Sequence, residues 1–413
     1  MKYFLIVFLV LSLTNCDVPQ RQLSSSQTQN KDFALDTTYF ETNGNNIAKN
    51  AIQIEDGYII TGQKFTYTDS VTSRCALLKI SPKGKILKHS FYGNNRRSNY
   101  SKSETIYRIN NGKIIQVGEK KDQMWIREID EDLNVLKDTV FPIGINALFQ
   151  PNIVIKEKEF VVISNNSSTS EGLIDVSFVS NNLKNLEYVP IQRDPIKFNY
   201  ENYNVVDMVH NPSTDILYIL GGGCLTKDVN GNCENYDNSL IVYNLHSKKI
   251  EHVFHFENKE ELKSIRLHKN YLYVAGHIAK GKKIPIEDNE ETRYHYQLMS
   301  YDYYVAKFNL QGKRLNEFNV ENEKMTSRLL DMEVFDNTFL TVGFTSSFNP
   351  AQNFGSYLSI DFKGKTIKKN DSYAHNTRDN MFVNIIKLSE SKVMILGQGG
   401  GAWRVIIDDI KHK

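Results

Sequence analysis

Long apolar runs, cysteine and any excess of one charge are all scarce in this sequence. Its 413 residues hold four cysteines, too few to staple together a fold that lacks its own core. Fifty Lys and Arg oppose 48 Asp and Glu, a net charge of +2, so the basic excess that marks a nucleic-acid footprint is missing and no nucleic-acid partner is expected. Neither H-E-x-x-H nor G-x-S-x-G occurs, and no spacing of side chains nominates a catalytic residue, a metal site or a cofactor. What remains is ample apolar content. At 40% hydrophobic residues the chain can build one large or two ordinary cores, which excludes disorder.

The one strongly apolar stretch, Phe4 to Leu13, follows Met1-Lys2 and falls well short of the roughly 20 residues that span a bilayer. It reads as the h-region of a signal peptide. Leu13-Thr14-Asn15-Cys16 then resembles the lipobox of bacterial lipoproteins. That resemblance implies cleavage after residue 15, acylation of Cys16, and an extracytoplasmic protein of the bacterial cell envelope held to the membrane by its lipid. Several acyl chains, at about 0.8 kcal/mol per buried CH₂, make such anchoring stable. An ordinary secretory signal with a chance cysteine, or an uncleaved anchor, is the alternative. Residues 16–32 are polar and poor in large apolar groups, a flexible tether, and the folded domain is expected over 33–410.

A repeat organises that domain. Short apolar runs ending in a small residue recur seven times, with Gly62, Gly118, Ser164, Gly221, Gly276, Gly343 and Gly397 roughly 56 residues apart on average, within the range of large propeller-blade repeats. Before each lies another short apolar strand and a tight turn such as Glu55-Asp56-Gly57. After each comes an alternating strand and a hairpin such as Pro82-Lys83-Gly84-Lys85. Four short strands per unit, without helical periodicity, predict an all-β, seven-bladed β-propeller. A β-solenoid, or a count of six or eight blades, is the competing reading. The seventh unit ends after its third strand, and Thr37 to Glu41 is left over to supply the fourth, which would close the ring and cover an edge. The whole is similar to secreted β-propeller lipoproteins of bacteria as a broad class.

Every long insertion falls between second and third strands or between blades: Phe65 to Ser73, Asn94 to Ser103, Gly222 to Asn238, Ile278 to Asp302 and Thr345 to Gly355. In a propeller these emerge on one face, so function is expected there, in units four to six. The longest insertion carries Arg293, Tyr294, His295, Tyr296 and Tyr301, which can form an aromatic platform for a sugar ring or an anchor for a protein, or can simply pack the loop down. Cys224 and Cys233 in one loop are expected to form a disulfide worth about 2–3 kcal/mol, leaving Cys75 as a buried thiol. Asp228, Asn230 and Asn232 lack the glycine and glutamate positions of an EF-hand, so no metal is expected.

Two functions follow as expectations. The first is a monomeric, membrane-tethered, non-catalytic protein that binds or scaffolds a glycan or protein partner. The second is an exported hydrolase or lyase on the same face, drawing acid and base from Asp207, Asp331 or His210.

Overall fold

The structure, a computed structural model, describes residues 26–27, 33–40, 46–67, 71–92, 105–109, 112–120, 123–144, 152–165, 172–192, 198–200, 202–227, 233–256, 260–283, 299–320, 326–348, 351–370, 380–399 and 401–410. Over these residues 29 strands form seven antiparallel sheets, with no helix among them. Six sheets have four strands in simple up-and-down order and are the first six blades of a β-propeller. In the seventh, Met381–Ser389, Lys392–Gly399 and Ala402–Asp409 are joined by Leu35–Tyr39 from the other end of the chain. The closing strand therefore exists, two residues earlier than its sequence expectation. Ser26–Gln27, inside the expected tether, adds a short fifth strand against Thr37 and Thr38.

The hydrophobic core is not one mass but seven, each drawn from two neighbouring blades. This explains why the second strands are apolar at every position. Leu217 and Ile219 pack toward blade three, while Ile216, Tyr218 and Leu220 pack toward blade five. Alternating side chains point to opposite faces of a strand, and here both faces are buried. Closure is tight. Arg404 of blade seven donates bidentately to Asp36 of the closing strand at 3.1 and 2.8 Å, and both side chains are 1% exposed. Trp403 stacks edge-on against Phe40 and donates its indole N–H to the Gln63 carbonyl of blade one at 2.6 Å.

The recurring small residue has a specific cause. In blades one, four, five, six and seven the innermost strand carries a β-bulge, at Ala48/Asn50, Val205/Asp207, Leu262/Ser264, Leu329/Asp331 and Phe382/Asn384. There a Cβ on Gly62, Gly221, Gly276, Gly343 or Gly397 would meet an inner-strand carbonyl oxygen at 2.0–2.3 Å. Glycine is required by that close approach. Blade three shows no register shift between its first two strands, and Ser164 is tolerated at its equivalent position.

Turns between first and second strands, and between third and fourth, are short and share one face. On the other face the expected loops are partly strand. Gly57–Tyr67 pairs with Val71–Ile80, Ile216–Lys227 with Cys233–Asn244, Tyr271–Lys283 with Met299–Asn309, and Thr338–Phe348 with Ala351–Asp361. These second strands run to 11–13 residues, against seven in blades two and three. At about 3.3 Å per residue they reach on the order of 15 Å further. Pairing satisfies the backbone of the arms without an apolar alternation, so the sequence pattern did not mark them as strands.

Candidate functional site

Around the axis, the residue of each inner strand paired just before the small residue of the second strand is polar in all seven blades: Asn50, Thr105, Asn152, Asp207, Ser264, Asp331 and Asn384. Bulges free backbone groups: Asn50, Asp207 and Asp331 accept from the N–H of the following residue, and these three with Asn384 reach to the next blade. Asp207 accepts from the backbone N–H of Met208 at 2.8 Å and of Ile265 at 2.9 Å. Asp331 accepts from Met332 at 2.8 Å and from Ile385 at 3.0 Å. Asn384 donates to the Lys49 carbonyl at 2.7 Å, and Asn50 donates to Thr105 Oγ1 at 2.5 Å. Blades four and five, six and seven, seven and one, and one and two are thereby fastened.

Arg266 sits within this ring. It donates to Asp207 at 2.6 Å, Asp331 at 2.8 Å and Glu333 at 3.0 Å, while the Ser264 hydroxyl donates to Asp331 at 2.8 Å. Burial pushes the Asp331 and Glu333 carboxyls up, against the pull of the guanidinium. Two residues named for the catalytic reading, Asp207 and Asp331, are thus brought together, but each is saturated by donors that serve the ring. His210 is elsewhere, paired with Asp215 at 2.9 Å beside a short turn on the plain face. Arg266, Ser264 and Glu333 were missed by sequence reasoning. Their signal was a polar residue at a fixed place in an apolar strand, blurred because bulges vary the spacing.

The elaborated face of blades four to six carries two further clusters. In blade four, His255 Nδ1 lies 2.5 Å from Asp237 Oδ2, and the Tyr200 hydroxyl donates to the same oxygen at 2.8 Å. Asp237 is buried, whereas the His255 side chain is 53% exposed, so the imidazole is held from behind with its outer edge toward solvent. Tyr200 packs on Phe198 and Tyr203 beneath, and burial raises its phenol well above the usual tyrosine range. In blade five, buried His277 meets Glu261 through Nε2 at 2.8 Å, and Lys263 meets the other carboxylate oxygen at 2.6 Å. The hydrogen bond to His277 holds Glu261 far below the usual carboxylate range.

Of the aromatic residues expected to form a platform, Tyr301 is half-buried at the base of the blade-five arm. It is edge-on to His277, 5.0 Å between ring centres, with the Arg328 guanidinium 5.3 Å from its ring. Arg293, Tyr294, His295 and Tyr296 lie outside the described residues, as does Cys16. Cys75 is buried and outside any disulfide. Cys224 is buried with its Sγ 2.9 Å from the Thr226 carbonyl oxygen, and the backbone pairs Lys227 with Cys233, whose side chain is not among those described. Among the described residues no group of three or more His, Cys, Asp or Glu can hold a metal ion.

Fold and site together define a seven-bladed β-propeller with one plain and one elaborated face. No family model matches the chain, and no curated protein matches it. Solved structures do. The chain is similar to the hydrazine synthase of Kuenenia stuttgartiensis (TM-score 0.55, 8% identity, 90% of this chain and 98% of that one). It is also similar to the β-propeller domain of Cps50 (Swd1) from Myceliophteria thermophila (TM-score 0.50, 8% identity, 93% and 99%). A third likeness is to extracellular domains 1–2 of Drosophila Semaphorin 1b (TM-score 0.50, 10% identity, 90% and 86%). At such identities the likeness is one of fold, and propellers host many functions.

Proposed function

We propose that the chain is a monomeric, lipid-anchored binding protein of the bacterial cell envelope, presenting the elaborated face of its propeller to a glycan or protein partner. Residues 1–15 are then a signal peptide, Cys16 the acylated terminus, 16–32 the tether and 33–410 the propeller, all on the strength of the sequence. The observation that carries the binding reading is the asymmetry of the faces. Strands of 11–13 residues project arms on one side only, concentrated in blades four to six, while the other side has turns of a few residues. A rigid ring with arms on one rim suits recognition by loops. We also propose a Cys224–Cys233 disulfide closing the blade-four arm, on the strength of the spacing of two cysteines in an exported chain; the strands that carry them pair with each other, Cys224 opposite Tyr236 and Lys227 opposite Cys233.

The test uses the full-length protein as bait in detergent-solubilised envelope, beside a Tyr294→Ala/Tyr296→Ala variant. The wild type is expected to retain a partner that the variant loses; equal retention by both removes the arm of blade five as the binding surface. Separately, Cys16→Ser is expected to shift the protein from the membrane to the soluble fraction, and persistence in the membrane contradicts the anchor.

The second reading, an exported hydrolase or lyase, is favoured by one observation, the buried Asp237 that orients an exposed His255. An imidazole so held keeps one nitrogen available as a proton acceptor. If it acts, His255→Gln abolishes turnover of an envelope polymer while leaving capture intact.

A further inference from the structure

Between neighbouring blades, the space under the turn joining third and fourth strands is filled by one of two devices. Ser81 to Lys85 and its counterparts place one residue in the left-handed region just before the fourth strand. At Gly312 (φ 75) and Gly364 (φ 82) that residue has no side chain, and a large ring from the preceding blade fills the space: a Cβ would meet Phe254 at 2.4 Å and Phe318 at 2.8 Å. At Leu133 (φ 61) and Leu183 (φ 57) the devices are exchanged. The leucines are buried, and by strand register the residues equivalent to Phe254 and Phe318 are the small Ser90 and Thr139. Large meets small at each of these four junctions.

The junction of blades three and four uses neither device. Val189 occupies the place of Phe254 and Phe318 in the register, and the left-handed residue is Lys248 (φ 56). Its Nζ lies over the Phe178 ring, 4.6 Å from its centre, and bonds Glu187. The space is left as a surface crevice of about 270 Å³, walled by Val189, Pro190, Ile191 and Ile250. Lining it is Tyr243, 1% exposed, whose buried hydroxyl has no hydrogen-bond partner among the described residues. The same register position holds Ile80, Ile129, Val179, Phe308 and Ile360 in blades one, two, three, five and six. In blade seven the position holds Asp408, which accepts from the Tyr357 hydroxyl at 2.9 Å, so of the two polar side chains at this position Tyr243 alone has its polar atom unpartnered among the described residues, beside the one of these junctions that is underfilled.

We propose that this crevice is a binding site for a small amphipathic anion, an aryl carboxylate of a single ring. The volume lies just below the range of ordinary ligand pockets and suits a single ring. Its aliphatic walls suit the apolar body. The Tyr243 hydroxyl, costly to leave unpaired, donates to a carboxylate oxygen. Lys248 and Lys249 at the crevice outnumber Glu187 and favour negative charge. The site lies on the outer rim at the plain face, so it is independent of the partner-binding arms.

Benzoate and benzamide are the probes, titrated into full-length protein with labelled Ile and Val methyls. Benzoate is expected to shift Val189, Ile191 and Ile250, with benzamide at least tenfold weaker. Tyr243→Phe, which keeps the ring and its packing, is expected to weaken benzoate tenfold or more. Val189→Phe, which installs the filling device of blades four and five, is expected to abolish binding while keeping the near-ultraviolet circular dichroism of the fold. No shift at those methyls up to millimolar benzoate overturns the site. Equal affinity of benzamide overturns the anion assignment, and unchanged affinity in Tyr243→Phe overturns the role of the hydroxyl.

Discussion

A ring of seven polar residues in strands otherwise built for burial concentrates its charge at Arg266, and that residue is the sharpest test of how the axis is held. Its guanidinium compensates Asp207, Asp331 and Glu333, so removing it leaves three carboxylates in a partly dehydrated site. Breaking such a network by deleting one partner costs far more than the network itself contributes. Arg266→Met is expected to lower the unfolding free energy by about 3–5 kcal/mol in urea denaturation. A change under about 1 kcal/mol would mean that the cluster is solvated and incidental. Glu261 gives a pH test with a definite sign. Its folded pKa is depressed below 4.5, chiefly by the hydrogen bond from His277, so its contribution is present above the unfolded value and is lost as pH falls through the folded one. The Tm deficit of Glu261→Gln relative to wild type is therefore expected to be largest near neutrality and to shrink below pH 4.5; a deficit growing with acidity contradicts the pairing.

Among the elements, the turn before each fourth strand shows how a repeat keeps its volume while exchanging its residues. Gly312→Leu places a side chain in a left-handed backbone against the Phe254 ring and is expected to destabilise by about 2–4 kcal/mol. Adding Phe254→Ser recreates the pair found at Leu133 and Ser90, and at least half of the loss is expected to return. Strict additivity of the two losses would deny the equivalence. These exchanges also mark where the sequence was legible. Small residues at the ends of the second strands were visible because a carbonyl at about 2 Å admits nothing larger. Glycines in hairpins were visible for their positive φ, but Leu133, Leu183 and Lys248 occupy the same conformation and give no such signal. The arms were mistaken for loops because their pairing is satisfied by backbone alone. Asp237 and His255 meet only across a hairpin register, and Tyr243 is unusual only beside its apolar counterparts in blades one, two, three, five and six.

For the whole molecule, the period of small residues and the missing strand of the last unit were enough to give the number of blades and the manner of closure. What the period could not give was the axis, since each bulge inserts a residue and shifts the spacing of the polar ring. Seven separate cores, each shared by two blades, mean that no blade is stable alone and that the ring is only as secure as its last junction. That junction is Leu35–Tyr39 against Ala402–Asp409, pinned by Asp36 and Arg404. Amide hydrogen exchange over residues 35–39 of the full-length protein measures it directly. The five amides are expected to open with the same free energy as those of 402–409, in one cooperative unit. Exchange of residues 35–39 at the rate of an unstructured segment, with 402–409 still protected, would contradict a ring closed by its own N-terminal strand.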